Sequence, residues 1–137
     1  MNLDPSAFVA DPDLVQALKE RSASIPCDAD RVLFRQGDAP AGLYILHRGE
    51  ATLSMKSWAG ESVMTVQTTA GSLLGLPGII GNQPFTLTAI ARSGAQVSFI
   101  TRDEFTALMQ SDPLLSLKVL QVLAAEVRSV RQAMSSL

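Results

Sequence analysis

Residue types that carry metal, redox or nucleophilic chemistry are scarce in this sequence. Cys27 is its one cysteine and His47 its one histidine. These two side chains cannot form an internal disulfide, complete a zinc site or hold an iron–sulfur cluster. Neither a GxSxG nucleophile elbow nor the phosphate-binding loop of nucleoside triphosphatases occurs in the chain. We therefore expect no enzyme activity, no metal and no cofactor.

The single histidine bears on two further kinds of site, the metal centre of an oxygenase and a haem site. Metal-dependent oxygenases on small β-barrels need several histidine and carboxylate ligands, which His47 cannot supply alone. It lies two residues before Gly49, at the tip of a predicted hairpin, where we expect an exposed side chain without a ligand role. Haem bound through His47 is the option left open, although aromatic residues make up only 5% of the chain.

Length and composition predict one globular domain over residues 1–137. Hydrophobic residues make up 47% of the chain and charged residues 18%, which allows a sizeable core. The formal net charge is −2, whereas domains that bind nucleic acid usually carry a basic surface. The N terminus lacks the pattern of a secretory signal, and no apolar run is long enough to span a membrane. We expect a cytoplasmic protein that by itself binds neither DNA nor membranes.

The elements that must position any site change from helix to strand along the chain. The start of a helix is indicated by Asp11 as the cap, Pro12 at the first helical position and Asp13 in the first turn. This pattern predicts a helix over 11–23. Between 31 and 101, six or seven short apolar runs recur at roughly ten-residue intervals, separated by glycine-containing turns. This spacing is typical of an antiparallel β-sandwich or barrel.

The C-terminal third is predicted to be helical. Thr101 and Glu104 fit a capping box at the start of a short helix. Asp112 and Pro113 repeat the cap-and-proline pattern and open a long helix over 112–137. Its apolar residues alternate at spacings of three and four, as the a and d positions of a coiled coil do. We call this set the seam: Leu120, Leu123, Val127, Val130, Met134 and Leu137.

The seam predicts a homodimer, because the apolar stripe continues to the last residue of the chain. Leu114, Leu115, Leu117 and Val119 widen the apolar face near the start of the helix, where we expect it to pack on the barrel. The alternative is a helix that lies wholly on its own domain.

Two glycine-containing stretches carry a resemblance to a known family. Residues 32–38 (VLFRQGD), then 43–46 (LYIL) and Gly49, closely resemble the opening of a cyclic nucleotide-binding domain. The resemblance covers about residues 14–137 and is greatest to the sensory half of CRP/FNR-type transcription regulators. It implies a mainly β fold with flanking helices: an antiparallel β-roll, or jelly-roll barrel, followed by a long helix that forms a parallel homodimer. Gly37 and Gly49 are then expected in tight turns.

The same resemblance places a ligand site in the segment 71–92. In that family a short helix after Gly71 offers backbone N–H groups to a cyclic phosphate. Relatives that bind cyclic nucleotides add a glutamate for the ribose hydroxyl and an arginine for the phosphate. Leu76 and Phe85 occupy those two positions here. Loss of both charged groups predicts a cyclic nucleotide affinity weaker by about three orders of magnitude or more.

The remaining candidates line the same pocket by resemblance. Val130 and Arg131 fall where nucleotide-responsive relatives present hydroxyl groups to the base, and Arg131 faces either an anionic ligand or solvent. The candidate ligand-binding residues are Gly75, Leu76, Asn82, Gln83, Phe85, Thr86 and Arg131.

We therefore predict a regulatory, ligand-sensing domain that acts as a homodimer and does not bind cyclic AMP or cyclic GMP tightly. Another small molecule, or none, would occupy its pocket. One alternative is a ligand-free scaffold for dimerisation or protein interaction. The other is a fragment of a longer transcription regulator, because the helix-turn-helix domain of such regulators does not follow within the 137 residues.

Overall fold

The computed structural model describes residues 3–135 and shows a helix-flanked pair of β-sheets. A short 3-10 helix, Pro5–Phe8, precedes the α-helices and strands. The helices are α1 (Pro12–Glu20), α2 (Leu76–Gly81), α3 (Arg102–Ser111) and α4 (Pro113–Ser135). The strands are β1 (Ala23–Ile25), β2 (Arg31–Phe34), β3 (Gly42–Arg48), β4 (Ala51–Lys56), β5 (Ser62–Thr68), β6 (Leu73–Leu74), β7 (Thr88–Ala91) and β8 (Gln96–Thr101).

The strands form two antiparallel sheets with the orders β1-β8-β3-β6 and β2-β7-β4-β5. Side chains alternate along each strand, so one face of each sheet points at the other sheet. Leu46 and Val97 of the first sheet pack in one cluster with Leu53 and Met64 of the second. This arrangement confirms the predicted fold class, a jelly-roll barrel with flanking helices.

The outer face of the first sheet is covered by helices. Leu43 and Ile45 alternate with inward-facing residues of β3 and pack in a second cluster with Leu14 of α1, Phe105 of α3 and Val119 of α4. Near the end of α4, the Ser129 hydroxyl accepts a hydrogen bond of 2.9 Å from the Asp4 backbone N–H. The long helix is therefore held along the barrel through residues from both ends of the chain.

The N-terminal helix is shorter than predicted. It ends at Glu20 rather than near residue 23, because the Arg21 N–H already bonds to Leu18 and Lys19 carbonyls in a tightened last turn. Pro26 then favours an extended Ile25. The segment Ala23–Ile25 becomes β1 and pairs with β8, a strand that the sequence pattern did not predict.

The predicted strand over 85–91 begins three residues late, at Thr88. The backbone of Phe85 is used elsewhere: its N–H donates to the Asp38 carbonyl at 3.0 Å, and its carbonyl accepts from the Gly37 N–H at 2.8 Å. Gly37 has a φ of +94°, the left-handed conformation expected for a tight turn. This turn therefore fixes the position of Phe85 beside α2.

Candidate functional site

Phe85 fills the space beside the start of α2. Gly75 caps α2 with a φ of +94°, and a Cβ atom at this position would lie 2.7 Å from Cε1 of Phe85. The Phe85 ring is 5% exposed and stacks on Phe34 with 3.9 Å between ring centroids. An apolar ring thus occupies the position at which the sequence resemblance leads one to expect an arginine.

Two adjoining cavities lie in this region, and Phe85 lines the smaller of them. The smaller, of about 10 Å³, has room for about one water molecule and lies among Phe34, Gly75 and Phe85. The larger, of about 440 Å³, opens between the barrel and α4. Its lining residues are Met55, Pro77, Thr86, Glu126, Val127, Val130, Arg131 and Met134. Pro77, Thr86 and Glu126 line both cavities, so the two spaces adjoin.

Glu126 is the most unusual group of this site. Its side chain is 3% exposed, and its Oε2 atom has no hydrogen-bond partner within residues 3–135. Burial raises the pKa of this carboxyl from its usual value near 4.5 to about 8. The ion pairs found in the described part of the chain do not include Glu126. At neutral pH the side chain is therefore mainly a protonated carboxylic acid.

The raised pKa of Glu126 predicts that alkaline pH destabilises the protein. A carboxyl whose pKa is higher in the folded state than in the unfolded state binds its proton more tightly in the folded state. The free energy of unfolding therefore falls as the pH rises above about 4.5. The loss is complete above the folded pKa of about 8 and reaches about 5 kcal/mol at most. Glu126→Gln removes this ionisation. We expect wild-type stability, relative to that variant, to fall between pH 5 and 8 in urea titrations followed by circular dichroism. Parallel pH profiles would contradict the assignment.

The structure brings four of the predicted ligand-binding residues to the cavities. Gly75 and Phe85 line the smaller cavity, Thr86 lines both, and Arg131 lines the larger. The exposed Arg131 side chain lies on the same helix as Glu126 and lines the larger cavity.

Leu76, Asn82 and Gln83 do not reach either cavity. Leu76 is fully buried and packs in the cluster beneath α1, α3 and α4, because its position in the first turn of α2 points it toward those helices. Asn82 ends α2, and its side-chain oxygen accepts a hydrogen bond from Arg102. Gln83 is exposed, and its backbone N–H closes the turn to the Gly78 carbonyl at 3.2 Å.

Glu126 is not among the ligand-binding residues predicted from the sequence, although its position in the sequence carries a signal. The buried residues of α4 recur at spacings of three and four along one face of the helix. They are Leu115, Val119, Val122, Glu126, Ser129 and Ala133. An acid within such a stripe is a buried titratable group without an obvious partner, and groups of this kind often mark functional sites.

The seam has one exposed edge and one half-buried edge. Leu120 is 53% exposed, Val127 42% and Met134 53%, whereas Leu123 and Val130 pack partly against the barrel side. Leu137 lies outside the described residues. Near the start of α4, Leu115 and Val119 are buried as predicted, but Leu114 and Leu117 are exposed because they point away from the barrel.

His47 is half-buried rather than exposed at a hairpin tip. Its Nε2 atom lies 2.6 Å from the Ser98 hydroxyl, on the neighbouring strand β8, and burial lowers the pKa of the imidazole. Within residues 3–135, no three histidine, cysteine or acidic side chains gather as a metal site would require. None of the helices in that part of the chain is long and apolar enough to cross a membrane.

The two facing sheets, α2 after the Gly75 turn and the long α4 define the fold of the sensory domains of CRP/FNR-type regulators. Residues 25–112 match the cyclic nucleotide-binding domain family. The match covers more than half of the chain, which therefore belongs to this family, a class defined by ligand binding rather than catalysis. No curated protein matches the sequence.

Solved structures show the same fold. The catabolite activator protein of Thermus thermophilus has a TM-score of 0.78 and 20% identity, over 96% of this chain and 62% of that one. A transcriptional regulator from Thermotoga maritima has a TM-score of 0.73 and 18% identity, over 88% and 94%. The sensor domain of the regulator DNR from Pseudomonas aeruginosa has a TM-score of 0.67 and 20% identity, over 89% and 82%. The chain thus spans about three fifths of the first of these proteins.

Proposed function

We propose that this chain is a homodimeric regulatory domain whose pocket takes a small ligand other than a cyclic nucleotide. The observation that carries this proposal is the Phe85 ring, which stacks on Phe34 and fills the space beside Gly75. A cyclic phosphate brought to that space would meet an aromatic ring in place of a cation. An anion without a charged or hydrogen-bonding partner is costly to bury.

The surroundings of the Phe85 ring offer no substitute cation. Arg131 is the one basic side chain among the described residues that line either cavity, and it lines only the larger one. Glu126 places an acid at the boundary of both cavities, which disfavours an anion whenever the carboxyl is ionised.

The dimer is supported by the exposed edge of the seam. Leu120, Val127 and Met134 recur every seven residues along α4, and each is more than two fifths exposed in the isolated chain. Apolar side chains at that interval are the pattern by which two parallel helices pack together. We therefore propose that the second copy lies along this edge.

A cavity of about 440 Å³ favours ligand binding over a scaffold role. Its volume lies within the range of roughly 300–1,000 Å³ that is usual for small-molecule sites. Thr86 and Glu126 add polar groups to a wall that is otherwise mainly apolar, the composition usual for small-molecule sites.

Titration calorimetry with cyclic AMP and cyclic GMP tests the proposed function. We expect no saturable heat at ligand concentrations up to about 1 mM, which corresponds to binding weaker than about 4 kcal/mol. Binding of either nucleotide in the micromolar range would show that Phe85 yields to the phosphate and would overturn the proposal. The same titration on a cyclic AMP-binding regulator serves as the positive control.

A further inference from the structure

Glu126 has a carboxyl oxygen that no group of the described chain satisfies. The side chain lines the water-sized cavity on one side and the larger cavity on the other. Its Oε2 atom is buried without a hydrogen-bond partner within residues 3–135. Native proteins keep few such atoms, and those they keep usually meet a bound molecule or serve a function.

The groups around Glu126 favour the neutral acid. Met55 of β4, Pro77 of α2 and Thr86 of the segment after α2 face it across the larger cavity, and none of them titrates. Arg131 is the charged side chain that faces this cavity from α4 itself, and its exposed guanidinium makes no ion pair with Glu126 among the described residues. A buried carboxylate without a cation is strongly disfavoured, in agreement with the raised pKa.

A neutral carboxyl group has a particular hydrogen-bonding pattern. Its O–H donates and its carbonyl oxygen accepts, side by side in one plane. A ligand that presents an acceptor beside a donor satisfies both at once. Around this pair, the walls contributed by Met55, Val127, Val130 and Met134 suit a mainly apolar body.

We propose that the larger cavity binds a small, neutral, mostly apolar molecule whose adjacent hydrogen-bond donor and acceptor, as in a primary amide or lactam, pair with the Glu126 carboxyl group. Thr86, which also lines both cavities, supplies a second polar contact. This inference rests on the proposed function, in which the pocket is free of cyclic nucleotide.

Four probes that share a benzene ring test the proposal. Benzamide offers the neutral donor–acceptor pair, benzylamine a cation, benzoate an anion and toluene no polar group. In NMR titrations of the full chain at pH 6.5, we expect benzamide to shift the amide signals around Thr86 and Glu126. Its affinity should exceed that of each other probe by about tenfold. Equal binding of toluene, or tighter binding of benzylamine or benzoate, would overturn the proposal.

Two variants separate the neutral acid from its charge. Glu126→Gln keeps a neutral donor and acceptor, and should bind benzamide within about threefold of wild type from pH 6.5 to 9.5. Wild type should weaken by about tenfold or more over that range, because the acid must regain its proton to donate. Glu126→Leu should lose the preference for benzamide over toluene. A Glu126→Gln variant that loses this preference as fully as Glu126→Leu would refute the inference, and so would an unchanged wild-type affinity at pH 9.5.

A cyclic AMP titration under the same conditions distinguishes this inference from the proposed function. Micromolar binding of cyclic AMP overturns the proposed function and, with it, the premise of the inference. A chain that responds to neither cyclic AMP nor benzamide overturns the inference alone. Circular dichroism of each variant confirms that it is folded, and Glu126→Gln with the wild-type pH series decides the outcome if Glu126→Leu does not fold.

Discussion

Replacement of both Leu120 and Val127 by glutamate is expected to dissociate the proposed dimer into folded monomers. The two side chains are 53% and 42% exposed in the isolated chain, so their replacement leaves the core of the protomer intact. They lie seven residues apart on the seam, where a parallel partner helix would place like charges against one another and against apolar groups. We expect the dimer to weaken by at least about a hundredfold, or about 3 kcal/mol, in sedimentation experiments across the micromolar range.

A matched control is available on the same helix. Gln121 and Arg128 are also seven residues apart and exposed, but they point about 100° around α4 from Leu120 and Val127, away from the exposed edge of the seam. Replacement of both by glutamate should leave the dimer unchanged. Equal dissociation of the control variant, or a wild-type chain that is monomeric at high micromolar concentration, would contradict the seam as the interface. Leu123 is a poorer probe, because it packs partly against its own domain.

Phe85→Ala is expected to cost about 3–5 kcal/mol of unfolding free energy. The ring is 5% exposed, stacks on Phe34 and lies in the core cluster between the two sheets. Its removal leaves a void between Gly75 and Phe34 that the jelly-roll cannot close, since the Gly37 and Asp38 backbone holds residue 85 in place. Urea unfolding monitored by far-ultraviolet circular dichroism measures the change.

The control for Phe85→Ala is an aromatic residue outside the core. Trp58 lies fully exposed in the turn between β4 and β5, and Trp58→Ala should change stability by less than about 0.5 kcal/mol. If Phe85→Ala lowered the free energy of unfolding by less than about 1 kcal/mol, the ring would not be the group that fills the space beside Gly75. We also expect this variant to remain without micromolar affinity for cyclic AMP, because alanine opens space but supplies no cation.

Local sequence patterns predicted most of the fold because those patterns have local causes. The Thr101 hydroxyl accepts from the Glu104 N–H at 3.2 Å, as the capping box requires, and the Asp112 carboxylate caps α4 at 3.1 Å. Ala23–Ile25 was missed because its strand character depends on β8, some seventy residues further along the chain. Apolar periodicity carries no information about a pairing of that kind.

The site was predicted less well than the fold, for a physical reason. Phe85 and Leu76 could be singled out by resemblance, but the direction of each side chain depends on the turn of α2. That turn sends Leu76 toward the helices and lets Phe85 fill the site. Glu126 lies about 40–50 residues further along, and its burial follows from the way α4 lies on the barrel. A count of charged residues cannot show that one of the thirteen acidic side chains is buried.

The larger cavity and the seam share part of their surface, and this overlap has a thermodynamic consequence. Val127, Val130 and Met134 line that cavity and are also members of the seam. In the proposed dimer, ligand binding in the cavity and self-association would use the same three side chains and would therefore share a coupling free energy. By linkage, a ligand that binds the dimer more tightly than the monomer must strengthen the dimer by the same factor. For the proposed ligand and dimer, the equilibrium between monomer and dimer would then report whether the molecule is bound.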